Sequence, residues 1–268
     1  MAKRVQSPSS INLYKQCPRR YFYQYIVKLP TRPSIHLIRG KVVHSVLEKF
    51  FDIDINSMGD EYRFGFKSFM TAYLVKLWNE KKEVIQTLNL TPEELEHYLI
   101  ESQKMLLGFV DIFSDKLEKK YKELNDLEKA FKALSPVVEE EIKDVDLGIR
   151  GFIDAIHEED GKVKIMDYKT SKKDEITDAY RLQLSIYALL YKLKYNKLPD
   201  EVGINFLKFG EKTIPVDEEM MKEAELEVKY IHEMTESEDI EDYPKNITPL
   251  CKWNGGKCDF YDTCIRDI

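Results

Sequence analysis

Gly151-Phe152-Ile153-Asp154, a turn at Glu159-Asp160-Gly161, then Val163-Lys164-Ile165-Met166-Asp167-Tyr168-Lys169-Thr170: the architecture is read most directly from this stretch. Runs rich in apolar and β-branched residues flank an Asp-Gly pair, which is a hairpin signal. Side chains alternate faces along a strand, so Asp167 and Lys169 share one face and Val163 and Ile165 continue it inward. Pairing the two strands through the short turn brings Asp154 near Asp167. Two acids and one lysine then meet at the strand ends. Hard cations such as Mg²⁺ and Mn²⁺ take oxygen ligands and keep several waters, leaving room for a phosphate and an attacking water. An Asp-x-Lys pair at a strand end is also an ordinary surface pair, so its meaning depends on what surrounds it.

Outward from this hairpin, the spacing predicts strands over Val137 to Ile142, Leu147 to Ile156 and Val163 to Tyr168. Glu139, Glu140 and Glu141 open the first. A residue facing a cation and a solvated acidic edge are both compatible with them. Thr177 is predicted to cap a helix to about Tyr195, with Leu182, Ile186, Leu189, Leu190 and Leu193 inward. Gln183 and Tyr187, four apart, share an edge beside that stripe. A fourth strand over Val202 to Phe209 and a fifth over Lys212 to Val216 follow, and Asp217 caps a helix to about Met234.

Upstream, Ser9 or Ser10 is expected to cap a first helix, and Pro30 and Pro33 break the chain. A helix is predicted from about Ile35 to Ile53. Its His44 sits beside the apolar face, with Glu48 one turn away to orient the imidazole. From about Asp60 to Leu134 the pattern stays helical, with Thr91-Pro92-Glu93-Glu94 as a helix start. The order of helix, three strands, helix and strand predicts an α/β sandwich with a helical insertion. The expected organisation is one domain: a core of 34–58 plus 136–236, an insertion of 60–135, and a cap of 1–30 with 245–268.

The 268 residues suffice for a full core, and the net charge of −7 argues against a generic nucleic-acid coat. Local basic clusters remain, at Lys15, Arg19 and Arg20 and at Lys162, Lys164, Lys169, Lys172 and Lys173. No apolar run approaches the roughly 20 residues of a bilayer span, and Met1 to Ser10 lacks an apolar leader core. The expectation is a cytoplasmic protein without a membrane partner.

Gly151-Phe152-Ile153-Asp154 followed by Met166-Asp167-Tyr168-Lys169-Thr170-Ser171 resembles the RecB-like branch of the PD-(D/E)XK nucleases. Gly40-Lys41-Val42-Val43-His44-Ser45-Val46-Leu47-Glu48 is similar to the N-terminal histidine motif of that branch, and Gln183-Leu184-Ser185-Ile186-Tyr187 to its Gln-x-x-x-Tyr motif. The motifs stand in the expected order along nearly the whole chain. The resemblance implies an α/β core with a mixed central sheet flanked by helices. It implies Mg²⁺- or Mn²⁺-dependent hydrolysis of DNA, with exonuclease action on single strands or duplex ends. His44, Asp154, Asp167 and the Tyr168 carbonyl would be metal ligands and Lys169 the catalytic lysine, with Gln183 and Tyr187 shaping the site or holding DNA. Many relatives carry Glu where Asp167 stands, and both occur in the class.

Arg19, Arg20 and Tyr21, with Lys172, are the expected DNA contacts, a buried aromatic helix being the competing reading of the first three. A helicase or CRISPR adaptation proteins are the partners that the resemblance suggests. The rival from another class is a non-catalytic DNA-binding or scaffold subunit in DNA repair or CRISPR adaptation.

The four cysteines are Cys17, Cys251, Cys258 and Cys264. Structural zinc sites usually show two close Cys pairs, and none is present. One remote N-terminal cysteine with three near the C-terminus resembles the arrangement around the 4Fe–4S cluster of iron–sulfur members of this branch, the AddB nuclease domain and CRISPR-associated RecB-like exonucleases. Cys17-Pro18-Arg19-Arg20-Tyr21-Phe22 is similar to their N-terminal motif. The resemblance implies a 4Fe–4S cluster joining the chain ends, and zinc is the alternative.

Overall fold

A computed structural model describes residues 4–254 and 256–266. Helix α1 (Pro8–Gln16) starts two or three residues earlier than expected. Ser7 is its cap, because Pro8 fills the first helical position, where a missing N–H costs nothing. Ser10 instead completes the reciprocal cap, its hydroxyl accepting from the Ser7 N–H at 2.8 Å. Helix α2 (Pro18–Tyr21) runs into a π-turn, Phe22–Ile26. Helix α3 (Ile35–Phe50) buries Val43, Val46, Leu47 and Phe50.

The expected helical insertion comprises α4 (Tyr62–Glu80), α5 (Lys82–Gln86), α6 (Pro92–Leu124) and α7 (Leu127–Leu134). At 33 residues α6 spans about 50 Å. Thr91 and Glu94 cap it reciprocally, and Asn125, left-handed at φ 50°, ends it. Rings from four segments fasten this layer to α3. Phe50 meets Phe66 at 4.9 Å and Phe113 at 5.2 Å between centroids, and Phe113 meets Phe131 at 5.7 Å. Each buried ring is worth about 2–3 kcal/mol in removed area, plus about 1 kcal/mol per well-oriented pair. The helix carrying His44 is thereby fixed from behind.

Strands β1 (Val137–Asp144), β2 (Ile149–Glu159) and β3 (Lys162–Lys169) form an antiparallel meander. The β2–β3 turn has Asp160 at φ 52° and Gly161 at φ 76°, the backbone that Asp-Gly favours in tight hairpins. Helix α8 (Asp178–Tyr195), capped by Thr177, crosses over to β4 (Glu201–Phe206), which pairs parallel with β3. β4 ends three residues before the expected Phe209. There the Phe209 N–H turns back to the Phe206 carbonyl at 2.7 Å, and β5 (Gly210–Pro215) returns antiparallel. Helix α9 (Glu218–Met234) follows. A small hairpin, β6 (Lys252–Trp253) with β7 (Gly256–Lys257), and the short α10 (Tyr261–Cys264) close the chain.

The fold is thus a mixed five-stranded sheet, ordered β1-β2-β3-β4-β5, between two helical layers. One core holds Ile153, Val163, Ile165, Val202 and Ile204 against α8, α9 and α1. The other holds Ala155, Met166 and Tyr168 against α3, α4, α6 and α7. Among the described residues no helix is long and apolar enough to cross a membrane.

Candidate active site

β3 sends alternate side chains into the two cores, and both converge on its C-terminal end. Val163 and Ile165 belong to the α8 core, and the next two residues of that face are Asp167 and Lys169. The register pairs Ala155 with Met166, which sets Asp154 across from Asp167. Gly151 lets α8 approach closely. A Cβ there would lie 2.8 Å from Leu190 Cδ1 and 3.1 Å from Tyr187 Cε1, so a larger residue would make the Leu190 and Tyr187 side chains give way.

Asp154 accepts from the Tyr168 N–H at 2.7 Å through Oδ2, and its Oδ1 lies 3.4 Å from His44 Nδ1. His44 Nε2 is 2.8 Å from the Tyr168 carbonyl, which can only accept, so this nitrogen carries the hydrogen. The imidazole is therefore oriented by Asp154 and the β3 backbone, and not by Glu48 as the helix spacing suggested. Glu139 completes the group. The ligand atoms of His44, Glu139 and Asp154 all lie within 4.8 Å of one another. Glu139 reaches this place from a left-handed backbone, φ 49°, inside a strand, a costly conformation for a residue with a Cβ. Strand alternation gave no signal that singled it out from Glu140 and Glu141.

Asp167 stands outside that trio. Its Oδ1 accepts from Gln183 Nε2 at 2.8 Å, and its Oδ2 lies 2.7 Å from Lys169 Nζ without an aligned hydrogen bond. Lys169 also donates to Gln183 Oε1 at 3.1 Å and sits 5.2 Å from the centre of the Tyr180 ring. Gln183 Nε2 donates in turn to the Tyr187 hydroxyl at 2.8 Å. The structure therefore gathers His44, Asp154, Asp167, Tyr168, Lys169, Gln183 and Tyr187 around one strand end.

The electrostatics fit crowded acids. Burial pushes the Asp167 carboxyl up to about 6, against the opposing charge of Lys169. Burial, and then the Asp154 charge, push Glu139 up to about 6. For His44, burial acts downward, but the hydrogen bond and charge of Asp154, with the charge of Asp167, leave it above its ordinary value. Lys169 is likewise lowered by burial and raised further by Asp167, so it stays an ammonium. Carboxylates carrying excess negative charge beside an imidazole and a carbonyl form a donor set suited to a divalent cation.

A family profile for the PD-(D/E)XK nuclease superfamily matches residues 6–264. This chain belongs to the PD-(D/E)XK nuclease superfamily. The PD-(D/E)XK core is the mixed sheet with its flanking helices, and nucleases of this superfamily use divalent metals. The chain is also similar to a crystal structure described as "Putative exonuclease" from Eubacterium rectale. That likeness has a TM-score of 0.53 at 13% identity, covers 99% of this chain and 88% of that one, and bears on the fold alone. No curated protein matched.

Two expected DNA contacts of this PD-(D/E)XK chain are placed elsewhere. Arg19 is buried, its Nε donating to the Tyr243 carbonyl at 2.7 Å, and Tyr21 is fully buried against Gln6, Tyr14 and Tyr243. The aromatic run is a core wall, because its rings find one another and Tyr243 before they find solvent. Arg20 is partly exposed and paired with Asp259, and Lys172 is exposed. The four cysteines, all free, line one cavity of about 390 Å³ together with Arg19, Arg20 and Lys245.

A separate cavity of about 540 Å³ lies between α6 and the sheet, lined by Phe109, Phe113, Tyr168 and His157 among others. Burial, and then the Lys164 charge, lower the His157 pKa to about 4. Its folded pKa lies below the ordinary 6.5, so the unfolded chain binds the extra proton first. Stability is complete above about pH 6.5 and falls as pH drops toward 4, by up to about 3 kcal/mol from this group. Urea titrations from pH 7.5 to 4.5 should show that slope, and it should flatten in His157→Gln.

Proposed function

We propose that this protein is a RecB-like deoxyribonuclease that uses Mg²⁺ or Mn²⁺ to degrade single-stranded DNA or duplex ends, with a 4Fe–4S cluster held by Cys17, Cys251, Cys258 and Cys264. The observation carrying this reading is the meeting of His44, Glu139 and Asp154 within 4.8 Å, beside the Asp167–Lys169 pair. His44, Glu139 and Asp154 would hold the cation, with the Tyr168 carbonyl and the Asp167 oxygen that lacks an aligned donor close at hand. Such a cation supplies Lewis acidity toward the phosphate and acidifies a bound water. Lys169, beside Asp167 at 2.7 Å, would position the attacking water or donate hydrogen bonds to phosphate oxygens. Gln183 fixes both ends of that pair, holding Asp167 through its NH₂ and Lys169 through its carbonyl.

The cluster reading rests on the cysteine spacing and on the one cavity of about 390 Å³ that all four cysteines line; zinc is its alternative. Arg19, Arg20 and Lys245 offset the charge of the thiolates. In the proposed organisation the whole chain is one nuclease domain. Segments 1–30 and 245–268 form the cap, 60–135 the insertion, and 34–58 with 136–236 the core.

Digestion of linear and circular DNA labelled at the 5′ or 3′ end tests the function. Mg²⁺ or Mn²⁺ should support loss of single-stranded and linear substrates, EDTA should stop it, and circles should survive. No metal-dependent cleavage of any of these would defeat the nuclease reading.

A further inference from the structure

We infer that His36, Tyr98, Lys172 and Lys208, standing over the buried Arg39, form a basic shelf that carries the phosphates of an unpaired DNA strand beside the scissile position. The inference rests on the nuclease reading for its substrate and adds where the strand runs.

The shelf draws on four segments. His36 and Arg39 come from α3 and Tyr98 from α6, while Lys172 follows β3 and Lys208 follows β4. Arg39 is the link. Its Nη2 donates to the Thr170 carbonyl at 2.9 Å, its Nη1 donates to Glu101, and Lys208 donates to the other Glu101 oxygen. Thr170 follows Lys169 directly, so the shelf begins one residue past the active-site lysine. The Arg39 guanidinium lies 5.5 Å from the centre of the Tyr98 ring, and His36 meets the same ring edge-on at 5.5 Å.

Arg39 and Lys208 share one anion, Glu101, and the exposed Lys172 adds a further positive charge that reaches His36, on a chain whose net charge is −7. The His36 imidazole registers the excess: burial first, then Arg39, Lys172 and Lys208, hold its pKa below the ordinary value. A phosphate backbone relieves such repulsion and releases counterions in doing so. The rings of His36 and Tyr98 beside the cations favour a strand with unstacked bases over a duplex. The helical insertion thereby gains a part in the chemistry, since α6 supplies both Tyr98 and the glutamate that spaces the cations.

Binding of a fluorescent oligo(dT) of roughly 20 nucleotides, measured in EDTA, isolates the shelf from both metal and cleavage. Lys172 is exposed, so Lys172→Glu should fold normally, weaken binding about tenfold near 100 mM salt and flatten the log–log salt dependence by about 0.7. Lys229→Glu, the same charge change on exposed α9, should shift binding less than about twofold. Equal losses in the two variants, or tighter binding of a blunt duplex than of oligo(dT), would overturn the shelf. A protein that cuts DNA but binds it independently of Lys172 loses this inference alone. One that binds through Lys172 yet never cuts loses the nuclease reading alone.

Discussion

Asp154→Asn is expected to reduce metal-dependent cleavage at least about a thousand-fold while leaving the fold intact, corresponding to roughly 4 kcal/mol of lost transition-state stabilisation. The substitution keeps the shape of the side chain, and its carbonyl can still accept from the Tyr168 N–H, which now lies 2.7 Å from Asp154 Oδ2. What it removes is the charge. Asp154 is the group that His44, Glu139 and Asp167 all feel, and it is the carboxylate shared by the trio and the β3 backbone. Mn²⁺ affinity measured by calorimetry should fall with activity, while circular dichroism stays unchanged. Glu139→Gln should weaken Mn²⁺ binding more mildly, because Asp154 remains. Wild-type cleavage by Asp154→Asn would remove this site from the mechanism.

The second large effect is expected at the chain ends. Cys258→Ser should abolish iron content and absorbance near 400 nm and lower the thermal midpoint by about 5–15 °C, from a loss of roughly 2–5 kcal/mol. Cys17 and Cys251 are 234 positions apart, so a group bonded to both closes a very long loop and restricts the unfolded chain. Protein contacts already tie the same ends. Tyr21 stacks on Tyr243 at 6.2 Å, and Asn246 donates to the Gln16 carbonyl at 2.8 Å. The variant should therefore keep a folded core and lose the cap first. Anaerobically purified protein without iron, or a variant melting like the parent, would end the cluster reading.

The strands of the sheet and the helix that crosses over between them were legible in the sequence, though not their ends. Asp160-Gly161 marked the hairpin, Thr177 and Asp217 the helix starts, and period-two alternation the strands. Each is a local signal, fixed by what one turn or one cap allows. Ser7 was missed because proline at the first helical position outweighs the serines after it. The aromatic run Arg19 to Tyr25 was ambiguous, because a basic aromatic segment has the same composition on a DNA-binding face and against a core. Tyr243, more than two hundred residues away, resolves it inward.

By itself, then, the chain determined that Asp167 and Lys169 share one strand face with Val163 and Ile165, since the side-chain repeat of a strand is two. It also determined the family to which the motifs point. Only the tertiary structure decided that Glu139 joins His44 and Asp154, and that Asp167 turns instead to Lys169 and Gln183. Those choices depend on a left-handed backbone at one residue and on the approach of α8 over Gly151. Both arise from packing between distant segments, which no local pattern encodes.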